Sequence, residues 1–298
     1  MTAGILDQTL GARGNEAAQQ ALAKSLLGAA KPASVLWRRE NNPARRVRLF
    51  GLAVENTTLK NAARDLVLCA NTARRTRVVF VNAHVANTVM ADRDYRAVVS
   101  SADRIYADGS GMAVAALLAG QPLADNVNGT DLFPLLCEEA IAAGTRIFLL
   151  GGRPGVAARA ARNVTAFGMG EAIAGTHHGY FACGTQEEDA VIATINASRA
   201  GIVLAGFGVP LQDEWTQRNA GRLDAPVIAG VGGLFDFFAG EVSRAPKIMR
   251  TAGCEWVWRL AMEPRRMAHR YLVGNGVFLA HALTRTRQHR LEHRLRPA

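Results

Sequence analysis

Glycine and polar residues follow several strand-like runs of this sequence, at points where they could contact a ligand. Five segments have this character: FVNAH, YADGSG, LLGGRPG, AGFGVPLQ and GVGGLFD. Glycine lets a ligand approach the backbone, and the amides at the start of a following helix can bind phosphate. One such segment alone also fits an ordinary turn. Five of them at one edge of a sheet predict a site for a phosphorylated ligand. The sequence has neither GxGxxG nor GxxxxGKS/T, which argues against an ordinary NAD enzyme and a P-loop NTPase.

Three of these segments carry polar side chains that could take part directly in a reaction. Asp108 ends the run RIYAD, where a carboxylate can act as a general base or can cap the helix that begins near Gly111. Asn82 ends another run and can hydrogen-bond a sugar or phosphate, or form a local turn. Gln212 and Asp213 follow GFGVP and are either ligand contacts or the first turn of a helix.

Adjacent histidines, a tyrosine and an acidic pair offer further chemistry. His177 and His178 suggest a metal or acid/base role, but neighbouring residues of a strand point to opposite faces and hold one ion poorly. Tyr180 offers a flat face to a nucleobase, or is a packed aromatic residue. Asp92 and Asp94 form a DxD pair that could hold a metal and a diphosphate. They lie inside a predicted helix, so we interpret them as solvated helix charges, and no metal site is predicted.

The elements that must position these residues alternate along the chain from Arg46 onward. The predicted strands are RVRLFGL, RVVFVNA, RIYAD, RIFLLGG, EAIAG, GIVLAGFG and PVIAGVGG. Amphipathic stretches between them, such as NTVMADRDYRAVVSSA and TDLFPLLCEEAIAAG, predict helices. Near-continuous apolar strands separated by helices predict an α/β fold with a Rossmann-like, mostly parallel sheet and helices on both faces. In such sheets the ligand binds at the carboxyl ends of the strands.

The basic residues are concentrated near the C-terminus. Twelve of the 35 Lys and Arg residues, but three of the 25 acidic residues, lie between residues 244 and 298, so this segment carries +9 of the net charge of +10. A cationic segment indicates an anionic partner, which is a phospholipid surface, a nucleic acid or a phosphorylated substrate. Trp256 and Trp258 lie beside arginines there, a pattern typical of an interfacial amphipathic element and also of a helical cap on the sheet.

These features divide the chain into three parts. Residues 1–45 form an extension or linker, residues 46–243 an α/β core, and residues 244–298 a basic helical appendage. The four cysteines are far apart and form no CxxC pair, which favours a reduced, cytoplasmic chain. The sequence begins without a secretory signal and has no uninterrupted apolar run of about 20 residues. We therefore expect a cytoplasmic protein that does not span the membrane.

Eight blocks, in unbroken order from about residue 46 to residue 280, resemble the WecG/TagA/CpsF glycosyltransferases, glycosyltransferase family 26. The blocks are FVNAHVANTVM, SSADRIYADGSGMAVA, NVNGTDLFPLLCEEA, IFLLGGRPGVA, GTHHGYF, GFGVPLQDEW, GVGGLFDFFAGEVSRAP and EWVWRLAMEPRRMAHRYLVGN. The resemblance implies an inverting transferase that moves a hexose-type sugar from a UDP donor to a saccharide on polyprenyl diphosphate, in the synthesis of bacterial cell-surface polysaccharide. It implies no metal or other cofactor, and a peripheral position on the inner face of the plasma membrane.

The resemblance also implies roles for single residues. Asp108 matches the proposed catalytic base of the family, and Asn82 and Gln212 match polar positions of its active site. Tyr180 and Asp236 match positions linked to the uracil of the donor.

Two further groups of residues are implied by the same resemblance. Gly151 and Gly152 lie where the diphosphate would pass. Arg259, Arg266 and Arg270 lie in the block that folds over the active site in the family, and arginine suits bidentate contact with phosphate. The resemblance leaves the number of subunits open, so that a homo-oligomer is possible.

Two departures from the family pattern concern the substrates. Members that act on N-acetylmannosamine donors usually have a threonine where this chain has Phe80, and an arginine where it has Asn126. We hypothesise that the donor or acceptor differs from that of the teichoic-acid enzymes, and a glucosyltransferase of exopolysaccharide assembly is one candidate. The alternatives from other classes are a basic nucleic-acid-binding protein and a nucleotide-binding regulator without catalysis.

Overall fold

The computed structural model describes residues 46–294, apart from the side chains of residues 266, 269 and 285–294. The predicted extension, residues 1–45, lies outside the described residues. The predicted core and most of the predicted appendage lie within them.

Six strands form one parallel sheet, as the alternation along the sequence predicts. They are β3 (Thr76–Val81), β4 (Arg104–Ala107), β5 (Ile147–Gly151), β6 (Ile173–His177), β7 (Ile202–Gly206) and β8 (Val227–Gly230). Their order in the sheet is β4-β3-β8-β7-β5-β6, and each neighbouring pair is parallel. β3 and β5 are buried along their whole length, as expected of strands covered on both faces.

The run RVRLFGL, predicted as a strand of this sheet, forms part of a separate hairpin instead. β1 (Arg46–Leu49) pairs with β2 (Leu52–Glu55) in an antiparallel register. The chain turns at Phe50 and Gly51, both of which have positive φ angles. The prediction was wrong because exposed and buried residues alternate along β1, and that is the pattern of an antiparallel strand covered on one side.

Helices cover the two faces of the sheet, which confirms the predicted fold class. They are α1 (Leu59–Asn71), α2 (Ala83–Ala91), α3 (Arg93–Ser100), α4 (Ser110–Leu118), α5 (Gly129–Ala142), α6 (Val156–Val164), α7 (Gln186–Ala197), α8 (Leu211–Asn219) and α9 (Leu234–Phe238). Successive residues of β3 enter different apolar clusters: Val78 packs with residues of α1 and α5, and Val79 with residues of α2 and α4. Each fully buried side chain of this size contributes about 1.5–3 kcal/mol.

One predicted helix is two helices that meet at Asp92. This residue is extended, and its Oδ1 accepts hydrogen bonds from the amides of Asp94 at 2.8 Å and Tyr95 at 3.0 Å. Aspartate is a preferred N-cap residue because its side chain satisfies amides that the first helical turn leaves without partners. Asp92 is therefore a helix cap and not the interior helix charge that we predicted.

The C-terminal part of the chain is helical, as predicted for the appendage. Its elements are α10 (Lys247–Thr251), α11 (Glu255–Met262), α12 (Pro264–Ala268), a π-helical turn (His269–Val273) and α13 (Gly274–Arg294). Phe278 is buried against Phe50, with ring centroids 5.1 Å apart, and its edge meets Gly111. Asn87 Nδ2 donates a hydrogen bond of 2.8 Å to the carbonyl oxygen of Gly274. These contacts fix α13 on α2 and α4, the helices that follow β3 and β4.

None of the helices within residues 46–294 is both long enough and apolar enough to cross a membrane.

Candidate active site

A cavity of about 720 Å³ opens at the carboxyl ends of β3, β4 and β8. The loops after these strands form one side of it, and α11, the π-helical turn and α13 form the other. Six of the predicted site residues line it: Asn82, Asp108, Gln212, Asp236, Arg259 and Arg270. The cavity lies at the carboxyl edge of the parallel sheet, which is where the sequence analysis expected a ligand and where ligands bind in such sheets.

Asn82 joins the ends of β3 and β4. It is the N-cap of α2, and its Oδ1 accepts hydrogen bonds from the amides of His84 and Val85, both at 3.1 Å. Because that oxygen is engaged with donors, the amide nitrogen points the other way and donates to Asp108 Oδ2 at 3.3 Å. Asn82 therefore acts as a local cap and as a contact to the candidate base, and its predicted hydrogen bond to a sugar or phosphate stays a prediction.

Asp108 does not cap the helix that follows it, although its position suggested that alternative. The N-cap of α4 is Gly109, whose φ of +90° suits glycine, and no side chain among the described residues caps that helix. The amide of Gly109 donates instead to Asn126 Oδ1 at 2.8 Å. The carboxylate of Asp108 is thus left to face the cavity.

The environment of Asp108 is suited to a base. Burial raises the pKa of this carboxyl above its ordinary value, while the hydrogen bond from Asn82 and the charges of Arg270 and Arg259 partly lower it again. A carboxylate with a raised pKa binds a proton more strongly than a solvated one, which suits a group that takes up a proton during a reaction. The site can therefore accept a proton from a bound hydroxyl.

Gln212 and Asp236 come from the β7 and β8 sides of the cavity. Gln212 is 3% exposed, and its Oε1 accepts a hydrogen bond of 2.8 Å from the amide of Gly232. Asp236 lies in α9, and one carboxylate oxygen stands next to Gly233, within 3.3 Å of the point where a Cβ of that residue would be.

Two arginines of the C-terminal helices bring positive charge to the cavity. The Arg259 guanidinium lies over the Phe237 ring, 4.4 Å from its centroid. Arg270 Nε is buried and has no hydrogen-bond partner within residues 46–294, so it can donate to a ligand. Arg266 lies in α12, but its side chain is outside the described residues.

Three predicted donor contacts lie outside this cavity. Gly151 and Gly152 end β5, and they pack so closely on β7 that a Cβ on Gly151 would stand 2.5 Å from the Gly206 carbonyl oxygen. Tyr180 follows β6 and is 66% exposed. All three are at the same carboxyl edge of the sheet, but β7 and β8 separate them from the strands that carry Asn82 and Asp108.

The histidines do not behave as predicted. His177 and His178 do not diverge to opposite faces, because their ring centroids are 4.3 Å apart and His178 lies beyond the end of β6. In the described part of the chain, no group of three or more His, Cys, Asp or Glu side chains is arranged to hold a metal ion.

Sequence reasoning missed several residues of the cavity. Arg250 and Glu255 line it from either side of the turn between α10 and α11, and Ser110 donates from Oγ to the Gly253 carbonyl oxygen at 2.7 Å. Burial lowers the pKa of Arg250 and raises that of Glu255. Both residues lie in the C-terminal segment that the sequence analysis identified by its positive charge. The net charge of that segment does not indicate which of its residues line a cavity and which are solvated.

The match to known protein families is consistent with this architecture. The family model for "Glycosyl transferase WecG/TagA/CpsF family" matches residues 47–292. The chain belongs to the WecG/TagA/CpsF family of glycosyltransferases. A curated relative, the N-acetylglucosaminyldiphosphoundecaprenol N-acetyl-beta-D-mannosaminyltransferase of Staphylococcus aureus (strain MW2), is 28% identical over 230 residues, covering 76% of this chain and 89% of the relative. The family that the eight sequence blocks resemble is thereby confirmed.

In this glycosyltransferase, Arg270→Gln should raise two pKa values at once. The arginine charge favours the Asp108 carboxylate and disfavours the His84 imidazolium, so it lowers the pKa of both groups, and its removal relieves both effects. NMR titration of the carboxyl carbon and of the imidazole measures the two shifts. Arg265→Gln, an exposed arginine of α12, is the control and should move neither group. Unchanged titrations in Arg270→Gln would show that this arginine does not face Asp108.

Proposed function

We propose that this protein transfers a hexose-type sugar from a UDP donor to a saccharide carried on polyprenyl diphosphate, with inversion at the anomeric carbon. The observation that carries the proposal is the Asp108 carboxylate, which lies in the cavity with Asn82 as its hydrogen-bond donor and arginines nearby. Membership of a glycosyltransferase family supports the reaction class. The printed name of the Staphylococcus aureus relative supports an acceptor on undecaprenyl diphosphate.

Asp108 acts as the general base in this proposal. It takes the proton from an acceptor hydroxyl while the oxygen of that hydroxyl bonds to the anomeric carbon. The bond from that carbon to the diphosphate breaks at the opposite face, and UDP leaves with the electron pair. One carboxylate is enough for such a displacement, and positioned general bases contribute about 10²–10⁴-fold to rate.

Arginines stabilise the departing diphosphate. Arg259 and Arg270 line the cavity, and the side chain of Arg250 reaches it from α10. The Nε atoms of Arg250 and Arg270 are buried without hydrogen-bond partners in the described part of the chain, so both can donate to phosphate oxygens. We include Arg266 in this group from the family resemblance. Charge-assisted hydrogen bonds of this kind are about twice as strong as neutral ones.

The nucleotide of the donor extends along the carboxyl edge of the sheet in our proposal. Asp236, in the cavity, and Tyr180, beyond β6, are the proposed contacts to uracil. Gly151 and Gly152 lie on the same edge, and we include them from the family resemblance as the passage of the diphosphate. No metal or other cofactor is part of the proposed reaction.

The donor sugar is glucose, N-acetylmannosamine or the uronic acid of N-acetylmannosamine. N-Acetylmannosamine is favoured by the name of the relative. A glucosyltransferase of exopolysaccharide assembly is the second candidate, because Phe80 and Asn126 both line the cavity. Phe80 packs on Tyr106 with ring centroids 5.7 Å apart, so an apolar ring stands where the family pattern has a threonine hydroxyl.

Asp108→Asn should reduce sugar transfer by about 10²–10⁴-fold, since the amide has the shape of the carboxylate but cannot accept the proton. The measurement is mass-spectrometric detection of transfer from UDP-glucose, UDP-N-acetylmannosamine and its uronic acid to polyprenyl-diphosphate-linked acceptors. Asp94→Asn makes the same change at an exposed helix start and should keep full activity. UDP binding without transfer by the wild type would favour a non-catalytic nucleotide-binding protein, and an active Asp108→Asn would remove Asp108 from the mechanism.

We further propose that the appendage docks the protein on the anionic inner face of the plasma membrane. Ile248, Leu272 and Val273 are exposed apolar residues in a segment rich in arginine. An interfacial helix binds through such apolar residues, and each nearby Lys or Arg adds about 1 kcal/mol on an anionic surface.

The double variant Leu272→Asp/Val273→Asp should bind anionic liposomes about tenfold more weakly or worse, because it replaces two exposed apolar side chains by charges that the surface repels. Liposome flotation measures this. Leu68→Asp, at an equally exposed leucine of α1, is the control and should float like the wild type. Equal flotation of all three proteins would place membrane docking elsewhere, and binding of duplex DNA in preference to liposomes would favour the nucleic-acid alternative.

A further inference from the structure

A buried carboxylate lies directly behind Gln212 and outside the proposed reaction. Asp213, the next residue of α8, is fully buried. Its Oδ2 accepts a hydrogen bond of 2.5 Å from the hydroxyl of Tyr95, a buried residue of α3. A buried carboxylate is costly unless its charge is balanced, so its retention next to a cavity residue calls for a physical reason.

The second oxygen of this carboxylate faces Gln212. Asp213 Oδ1 and Gln212 Nε2 stand 2.7 Å and 2.9 Å from the point where a Cβ of Gly230 would be, so both atoms lie over the last residue of β8. Asp213 Oδ1 is buried and has no hydrogen-bond partner within residues 46–294, although the side chain of Gln212 favours the charged form of this carboxyl. A side chain at residue 230 would separate the two groups.

The charge state of Asp213 is set by the same neighbours. Burial raises the pKa of this carboxyl to about 6, and Tyr95, Arg77 and the amide of Gln212 each favour the charged form. Arg77 is a buried residue of β3, so a positive charge from the centre of the sheet balances the carboxylate. Near neutral pH, Asp213 is therefore mostly ionised and is an acceptor of hydrogen bonds.

Gln212 is thereby held from both ends of its amide. Its oxygen accepts from the Gly232 amide at 2.8 Å, and its nitrogen lies beside the Asp213 carboxylate. A carboxamide can otherwise rotate by half a turn and exchange its donor for its acceptor. The Gly232 amide is a donor at the oxygen of Gln212, and the Asp213 carboxylate is an acceptor near its nitrogen. The Gln212 amide therefore keeps one orientation.

We propose that Asp213 is a positioning residue that fixes the orientation of the Gln212 amide, so that Gln212 presents an N–H group to the substrate in the cavity. Tyr95 bonds the other oxygen of the carboxylate, and Gln212 makes the contact with the substrate. This inference rests on the proposed transfer reaction for its effect on rate, but the orientation of the amide is a property of the protein alone.

Asp213→Asn tests the proposal with little change in shape. The hydroxyl of Tyr95 needs an acceptor, so the new oxygen turns to Tyr95 and the new NH₂ group faces the NH₂ group of Gln212. Two donors cannot bond, and rotation of Gln212 would place a second donor against the Gly232 amide. We expect kcat to fall by about 10–100-fold with KM for the UDP donor changed by less than about threefold, in line with the loss of one positioned donor.

The orientation itself can be observed without any reaction. The chain has eight glutamines, so the side-chain amide spectrum of a glutamine-labelled sample is simple, and Gln212→Ala assigns the Gln212 signal. In Asp213→Asn that signal should shift. The signal of Gln217, which donates to Ser101 Oγ at 2.9 Å from the same helix, should stay in place. A wild type that transfers no sugar would defeat the proposed function while this spectrum still tests the inference.

Tyr95→Phe is the matched control for a merely structural role. It removes the other hydrogen bond of Asp213 but leaves the carboxylate beside Gln212, so we expect lower thermal stability, an unshifted Gln212 signal and kcat within about threefold of wild type.

If Asp213→Asn does not fold, Gly230→Ala inserts a methyl group between the side chains of Asp213 and Gln212 and should give the same shift and rate loss. An unshifted Gln212 signal in Asp213→Asn would overturn the proposal. Equal loss of kcat in Tyr95→Phe and Asp213→Asn would also overturn it.

Discussion

The contact between Asn82 and Asp108 joins the ends of two neighbouring strands and places a carboxylate among the polar residues that line the cavity. Burial pushes the pKa of this carboxyl up, and the hydrogen bond and two arginines push it down. The reaction that we propose requires both effects, because a base must be ionised before the reaction and must hold a proton after it. Parallel pairing of β3 and β4, the glycine at the start of α4, and the packing of the C-terminal helices all serve to keep this carboxylate in place.

The cavity is assembled from parts that are distant in sequence. The sheet supplies Asn82, Asp108 and Gln212, and the C-terminal helices supply Arg259 and Arg270. Burial of Phe278 ties the two parts together, since its ring rests on the helix that follows Asp108. A site built in this way brings charged groups from distant parts of the chain into one cavity, where they interact more strongly than in water. It also means that changes in the C-terminal helices act on the pKa of Asp108.

The sequence predicted the parts of this structure that depend on local patterns. Apolar runs predicted the parallel strands, and the polar residues after them predicted a site at the carboxyl edge of the sheet, where Asn82 and Asp108 lie. The break at Asp92 was missed because a helix cap and a helix interior accept the same residue, and the hairpin at Phe50 was missed because a short apolar run does not reveal its partner strand. Long-range contacts were out of reach: no local pattern indicates that Glu255 enters the cavity or that Asp213 stands behind Gln212.

The stereochemistry of the product tests the central claim most directly. If Asp108 is the only carboxylate that acts on the acceptor, transfer is a single displacement, and an α-linked UDP donor must give a β-linked product. NMR coupling constants of the anomeric proton of the product distinguish the two linkages. We expect the β linkage alone. An α-linked product would require two displacements through a second nucleophile, and it would contradict a mechanism in which Asp108 works as the single base.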